Sequence, residues 1–386
     1  MTSRLTLLCG VTALAAMVAG VSCTAAPLSI EVANPADFDR TAEIVEVDAS
    51  LLPADKDLRI LGPDGTEVPY QRTADGKLIF PADVTAGATA VYTVADGTPA
   101  PVDTVATGAF YAERLDDLAW ENDRAAYRAY GPALQADGQR AYGYDVWTKS
   151  VAHPVVAKRY DDHLHHNISY HEDHGQGMDA YAVGPTLGGG TSAVLLPGDS
   201  LSMPWAFESY RIVDNGPLRF TVELTYAPRA IGADSAVRER RVITLDSGSY
   251  LNRTAVTYDG LSAGARAAAG VVVHRQNPDA YAIDSVARTA TYADLTERAD
   301  AGNGTIYLAL VAPQAAHMFY LPMATPAGDA LGHMMAEQPY DPAAPMVYYW
   351  GSGWSKAGIA DRAAWDSITA DAARRIAQPL TITVRK

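Results

Sequence analysis

Arg219-Phe220-Thr221-Val222-Glu223-Leu224-Thr225-Tyr226 is the stretch that decides the fold class: short, rich in Val, Thr and Tyr, and bounded by turn residues. More segments of the same kind follow at 237–245, 252–258, 269–274 and 305–312. Helix signals are scarce by comparison. The clearest runs from Asp361 to Gln378, where Asp361 can cap and Ala363, Ala364, Ile368, Ala372 and Ile376 recur near a 3.6-residue period until Pro379 stops it. Leu380 to Val384 reads as a closing strand. Many short strands and few helices predict an all-β protein built as a sandwich.

Toward the N-terminus the pattern repeats on a smaller scale. Residues 27–98 read as a small β-sandwich module, with strands at 30–34, 42–48 and 90–95 and turn signals at Pro63-Asp64-Gly65 and Asp75-Gly76. A Pro- and Thr-rich linker spans 99–108, and 109–386 is expected to form a large antiparallel β-supersandwich ending in the helix. Before all of this, residues 1–26 read as an export leader: Arg4, then an apolar run from Leu5 to Val21. Cleavage after Ala26 follows a small-x-small pattern, whereas Cys23 sits in an imperfect lipobox that would leave a lipid anchor. The expected location is the periplasm or the outer membrane. Cys9 lies in the discarded leader either way, so no disulfide is expected. The apolar run is too short and too early for a membrane span, and none of that length follows.

The chain has 386 residues, 48% hydrophobic and 19% charged, enough to bury a sizeable core. Its formal net charge is −15, which disfavours nucleic acid and anionic membrane as partners. An anionic small substrate stays compatible, because a local basic pocket can differ in field from the whole surface.

Six of the nine histidines fall between His153 and His174, and the densest part reads Tyr170-His171-Glu172-Asp173-His174-Gly175-Gln176-Gly177-Met178-Asp179. The glycines argue against a regular helix, so a strand running into a tight loop is expected. A histidine held by Asp173 or Glu172 suits general acid–base work. Two alternatives compete: a divalent metal on His171, His174 and a neighbouring carboxylate, completed by His163, His165 or His166, and exposed loop histidines without a function. No other cofactor is read. Upstream, Trp120-Glu121-Asn122-Asp123-Arg124 leads to Arg128 and Tyr130. Taken as one strand, this places Trp120, Asn122, Arg124, Arg128 and Tyr130 on a common face, where rings could pack on a sugar and guanidinium forks could hold its carboxylate. The competing reading pairs Arg124 and Arg128 with Glu121, Asp123 or Asp116 in a structural network. Asp145-Val146-Trp147-Thr148-Lys149 sets Trp147 and Lys149 on one side; Lys149 could be a base, a carboxylate ligand or an ordinary snorkelling lysine. Tyr348-Tyr349-Trp350-Gly351-Ser352-Gly353-Trp354 reads as an aromatic, Gly-rich loop, with Tyr349, Trp350 and Trp354 either as sugar platforms or as an aromatic cluster packed under the loop. Gly188-Gly189-Gly190 lacks the Lys-Ser/Thr of a phosphate loop, and no Gly-x-Ser-x-Gly elbow is present.

These strings resemble a bacterial domain family of unknown function common in polysaccharide-utilisation loci. The resemblance runs from Asn34-Pro35 and Pro69-Tyr70-Gln71 through Trp120 to Arg124, Tyr130-Gly131-Pro132-Ala133-Leu134, Asp145 to Lys149 and Tyr170 to Gly175. It continues with Val183-Gly184-Pro185-Thr186, Asn215-Gly216-Pro217-Leu218-Arg219 and Tyr348 to Trp354. Three histidines within 161–167 go beyond the motif. The resemblance implies carbohydrate processing on a β-sandwich, akin to the oligosaccharide dehydratases of ulvan breakdown.

Such an elimination across C4 and C5 of a uronic acid needs a cation for the carboxylate, a base for the C5 proton and an acid for the leaving oxygen. The sequence offers Asn122 and Arg124 for the first, His171 (or Lys149) as base, Tyr170 or His174 as acid, and Asp173 to orient. Departure of hydroxide makes a dehydratase; departure of the next sugar makes an exo-lyase. A noncatalytic oligosaccharide-binding lipoprotein, and a mutarotase-like or metal-dependent sugar enzyme, are the alternatives.

Overall fold

A computed structural model describes residues 27–54, 56–203, 205–295 and 299–386. The leader, its cleavage site and Cys23 lie outside the described residues.

The all-β expectation holds: antiparallel strands dominate, and the C-terminal helix is Arg362–Ala377. Asp361 caps it, its carboxylate accepting from the Ala364 N–H at 2.9 Å. Two sheets form the body of the large sandwich. One has nine strands and contains Arg219–Thr225, Asp234–Asp246, Leu251–Asp259 and Met346–Trp354; the other has five, centred on Thr191–Leu195, Arg266–His274 and Ala330–Pro339. Phe220, Val222, Leu224, Ile243 and Leu245 from the first meet Ala267, Val271 and Met334 from the second in one buried core. Among the described residues no helix is long and apolar enough to cross a membrane.

The N-terminal module is a small sandwich of a five-stranded and a three-stranded sheet, and its outer strand comes from the far end of the chain. Thr381–Arg385 pairs antiparallel with Ser29–Ala33, Ile30 opposite Val384 and Val32 opposite Ile382. The closing strand therefore belongs to the module that opens the chain, and Leu380, Ile382 and Val384 pack on its core.

A separate four-stranded sheet, in the order Asp145–Thr148, Ala125–Ala129, Asp117–Glu121, Thr107–Tyr111, covers part of the sandwich and carries the candidate site. Its centre is a hairpin. Asn122 makes the turn: its Oδ1 accepts from Arg124 and Ala125 N–H at 2.9 and 3.2 Å, while Nδ2 donates to Asp246 and Ser249 carbonyls. Because the chain reverses there, Trp120 lies opposite Tyr127, and Arg128 opposite Ala119. Residues paired across a hairpin share a face, so Trp120 and Arg128 point to opposite sides. The single strand with a common aromatic–arginine face is thus corrected to two antiparallel strands with two chemically distinct faces.

The inner face is apolar. Trp120 is fully buried against Phe220, Tyr127, Tyr144 and Trp350, and its indole N–H donates to Asn252 at 2.8 Å. The segment Met346–Trp354 is a strand of the nine-stranded sheet, between Leu251–Asp259 and Ile306–Val311, rather than a loop. Gly351 is required there because a Cβ would meet the Tyr250 carbonyl at 1.9 Å. Trp350 and Trp354 are buried and Tyr349 packs beneath the C-terminal helix, so the proposed sugar platforms are core residues.

Candidate functional site

The outer face of the hairpin bears charge. Here Asp117, Glu121 and Arg128 lie under the helix Val156–His165, which the sequence did not foretell. That helix starts without a side-chain cap of its own. Glu121 supplies the missing acceptor from the neighbouring strand, its carboxylate receiving the Val155 and Val156 N–H groups at 2.7–2.9 Å. Lys149 Nζ closes the arrangement at 2.6 Å from Glu121 and 2.6 Å from the Asn122 carbonyl. Burial lowers the Lys149 pKa, and the Glu121 charge works against that fall. Buried and fully bonded, Lys149 is a structural cation, which removes it as the base.

Arg128 is likewise committed. Its guanidinium meets Asp145, Asp179 at 2.9 Å and Asp117 at 3.3 Å, and also bonds the phenol oxygens of Tyr130 and Tyr170. Trp147 packs beneath it, buried, with its indole N–H on Asp145. Arg128 thus sits in a structural network, but its carboxylate partners are Asp117, Asp145 and Asp179 in place of the expected Glu121, Asp123 or Asp116. Trp147 and Tyr130 belong to that network, and Trp147 is too buried to be a sugar platform. Arg124, at the tip of the hairpin, pairs with Asp123 and lies over the Tyr250 ring.

Above Arg128 sits the histidine-rich segment, a sequence of turns rather than a strand. Tyr170 is buried, its oxygen 2.9 Å from Arg114 Nε and 3.4 Å from Arg128. The imidazole of His163, from the helix Val156–His165, stacks on the Tyr170 ring at 3.9 Å. His171 meets the same ring at 4.7 Å and lies edge-on to His163, centroids 6.1 Å apart. Behind His171, the Asp179 carbonyl is 3.1 Å from Nδ1 and the Asp179 carboxylate 3.6 Å. A carbonyl only accepts, so Nδ1 carries hydrogen and Nε2 faces outward. Burial, then the charges of His171, Arg114 and Arg128, hold the His163 pKa below its usual range.

His174 and Asp173 serve the loop. His174 Nε2 bonds the Ser169 carbonyl at 3.0 Å, and Asp173 accepts the Gly175 and Gly177 N–H groups, each at 2.9 Å. Asp173 therefore orients backbone, where an orienting role toward a histidine was expected. Gly177 has φ +99° and a Cβ there would meet the Thr148 carbonyl at 2.2 Å, which explains the glycine. A shallow open crevice borders Tyr170, His174, Glu172, Ser169, Gln176 and Arg159, with room for about 20 Å³. Arg159, buried and among the described residues bonded only to the Thr148 and Gln176 carbonyls, has its pKa pushed down to about 10 by that burial. Among the described residues, no three His, Cys, Asp or Glu side chains converge to hold a metal, so His171 and His174 do not form the shell the metal alternative required.

Arg124 and His171, which the sequence reading placed in one pocket, share no contact: the former touches Asp123 and Tyr250, the latter Asp179, His163 and Tyr170. What the structure gathers instead is Arg114, His163, Tyr170 and His171. Arg114 was not singled out from sequence, and its partner Tyr170 lies 56 residues away.

Comparison with known proteins gives three findings. The model of a domain of unknown function, DUF4861, matches residues 32–382. An uncharacterised protein P7 of Formosa agariphila is 33% identical over 158 residues, which cover 39% of this chain and 40% of that protein. The chain thus aligns with about two fifths of that relative's length. Two Enterococcus faecalis structures, an alpha-mannosidase and a protein in glycosyl hydrolase family 38, align at 8% identity with TM-scores of 0.44 and 0.47. Each covers 93% of this chain and just under half of its own, 46% and 47%.

Proposed function

The chain belongs to the DUF4861 domain family, and we propose that it is a carbohydrate-active enzyme performing β-elimination on uronic-acid-containing oligosaccharides. The observation that carries this reading is the pair of imidazoles, His163 and His171, set edge-to-face at 6.1 Å over a phenol bonded to two guanidinium groups. Elimination needs two proton transfers beside a neutralised carboxylate, and two imidazoles above a cationic floor offer both.

His163, whose pKa is lowered by burial and its cationic neighbours, takes the C5 proton. Electrons of that C–H bond form the C4–C5 double bond as the C4–O bond breaks. His171, with the Asp179 carboxylate as counter-charge, gives a proton to the departing oxygen. Water or the neighbouring sugar leaves, and proton exchange with solvent resets the pair. This reverses the role the sequence assigned to His171. Tyr170, stacked under His163 and buried, positions the rings, where the sequence had offered it as the acid. The same reading places the protein in the periplasm or at the outer membrane, on the strength of the apolar leader.

The test is incubation with saturated uronic-acid oligosaccharides followed by mass spectrometry. Loss of one water identifies a dehydratase, and chain scission with an unsaturated end identifies an exo-lyase. Gain of water, or binding without turnover, overturns the reading. His163→Ala and His171→Ala should each lower the rate by about two orders of magnitude or more, typical for a positioned acid or base.

A further inference from the structure

We propose that Arg114 is the receptor for the substrate carboxylate, a specificity-determining residue held in place by the contact between Asp116 and Gly131. The inference rests on the elimination reading and names the group that reading leaves open.

Four arginines lie near the hairpin, and their engagement differs. Arg159 gives Nη2 to the Thr148 and Gln176 carbonyls and is buried, with Nη1 unpartnered among the described residues. Arg128 spends both terminal nitrogens on three carboxylates and two phenols. Arg124 meets Asp123 only through Nε, at 3.3 Å, and lies over the Tyr250 ring, so its terminal nitrogens are open as well, but among the described residues it has no contact with Tyr170 or either imidazole. Arg114 bonds only through Nε, to Tyr170 at 2.9 Å; among the described residues its two terminal nitrogens meet no protein acceptor. Of the carboxylates around it, Glu113 pairs with His165 and Asp116 takes the Ala133 N–H; Asp117 bonds Arg128 and Tyr160 through Oδ2 and reaches Arg114 through its charge, without a hydrogen bond. A half-buried guanidinium whose fork stays open, fixed by its third nitrogen, is the geometry for bidentate capture of a carboxylate. Tyr170 joins Arg114 directly to the ring on which His163 stacks, so a carboxylate held there sits beside the base.

The backbone shows that this position is enforced. Arg114 ends a short 3-10 turn, and the next two residues, Leu115 and Asp116, both adopt the left-handed region, at φ 53° and 65°. Neither is a glycine, so each conformation is costly and persists only where the surroundings impose it. The imposition comes from the Tyr130-Gly131-Pro132 segment: the Asp116 carbonyl occupies the space of a Gly131 side chain, where a Cβ would meet it at 1.9 Å. Asp116 Oδ2 also takes the Ala133 N–H at 3.1 Å. Gly131 thus has a positional reason, and that reason ends at Arg114.

The experiment measures binding of free glucuronate and of its neutral methyl ester by calorimetry, to wild type and to Arg114→Gln and Arg114→Lys. Thermal melts check that each variant is folded. Wild type should prefer the acid to the ester by about 10-fold or more, Arg114→Gln should abolish the preference, and Arg114→Lys should restore part of it. A folded Arg114→Gln that keeps the preference overturns the inference, as does a wild type indifferent to the charge; should Arg114→Gln not fold, retention of the full preference by Arg114→Lys overturns it instead. The two proposals fail separately. Arg114-dependent uronate binding without an unsaturated product leaves this inference standing and removes the elimination, and turnover insensitive to Arg114 does the reverse.

Discussion

Lys149 Nζ lies 2.6 Å from the Glu121 carboxylate, and both side chains are almost wholly excluded from solvent. The pair ties the strand Asp145–Thr148 to the start of the helix that carries His163, since the same carboxylate receives Val155 and Val156. Removing one member strands the other charge in the interior. Lys149→Met is therefore expected to lose about 3–5 kcal/mol of stability. The double variant Lys149→Met/Glu121→Gln should lose less than the sum of the single losses, because neither charge is then left alone. Urea melts of the four proteins decide it; additive losses would mean that the two groups are not coupled.

Arg128 has a similar place one layer in. Asp117, Asp145 and Asp179 converge on its guanidinium, and burial already pushes the Asp117 pKa up against the pull of Arg128 and Arg114. Arg128→Met should leave three carboxylates in apolar surroundings, costing several kcal/mol at pH 7 and less at acidic pH, where they can take up protons. A melting temperature that is unchanged at pH 7 would contradict this.

Which parts of this were legible in the sequence follows from how local each signal is. The C-terminal helix was readable because Asp361 and the apolar period lie within it, and the strand-rich composition gave the fold class. The hairpin was misread as one strand although Asn122 carried the turn signal, because the aromatic and arginine residues on either side invited a common face. The Trp350 segment looked like a loop because glycine there answers a need set by the Tyr250 backbone, invisible in the local string. The helix Val156–His165 borrows its N-terminal acceptor from Glu121, about 35 residues earlier, so no capping residue announces it. Arg114 was missed for the same reason, its partners being Tyr170 and, through Asp116, Gly131.

A second buried polar cluster makes a pH prediction. His333 is buried and accepts the Leu187 N–H on Nε2 at 3.2 Å, so Nδ1 carries its proton, without a partner among the described residues. Burial, then the nearby His274, lowers its pKa to about 4. An unfolded histidine titrates near 6.5, so from there downward the unfolded chain binds a proton that the folded one refuses, and stability falls until about pH 4. His274 runs the other way: burial alone would lower it, but the bond and charge of Asp294 prevail, so its contribution is present below the unfolded pKa and fades as pH rises through the folded value. His333→Gln keeps an acceptor for Leu187 and removes the first effect alone. Relative to this variant, wild type should lose about 2–3 kcal/mol between pH 7 and 4.5. Equal differences at the two pH values in urea melts would refute the assignment.

Gly131→Ala tests whether strain at Leu115 and Asp116 reaches the site. The added methyl must displace the Asp116 carbonyl, which is backbone and cannot swing aside, so overpacking should cost about 1–3 kcal/mol. That loss alone would lower the folded fraction without altering the behaviour of folded molecules. If Asp116 positions Arg114, the folded fraction should in addition bind uronate more weakly, raising KM more than it lowers kcat, while the pH profile of turnover stays unchanged. Relief of the two left-handed residues by Leu115→Gly or Asp116→Gly should weaken uronate binding in the same way without the clash, by loosening the segment that aims the guanidinium. A Gly131→Ala protein with lowered stability but unchanged KM would show that the contact serves packing only, and that Arg114 is aimed by its bond to Tyr170.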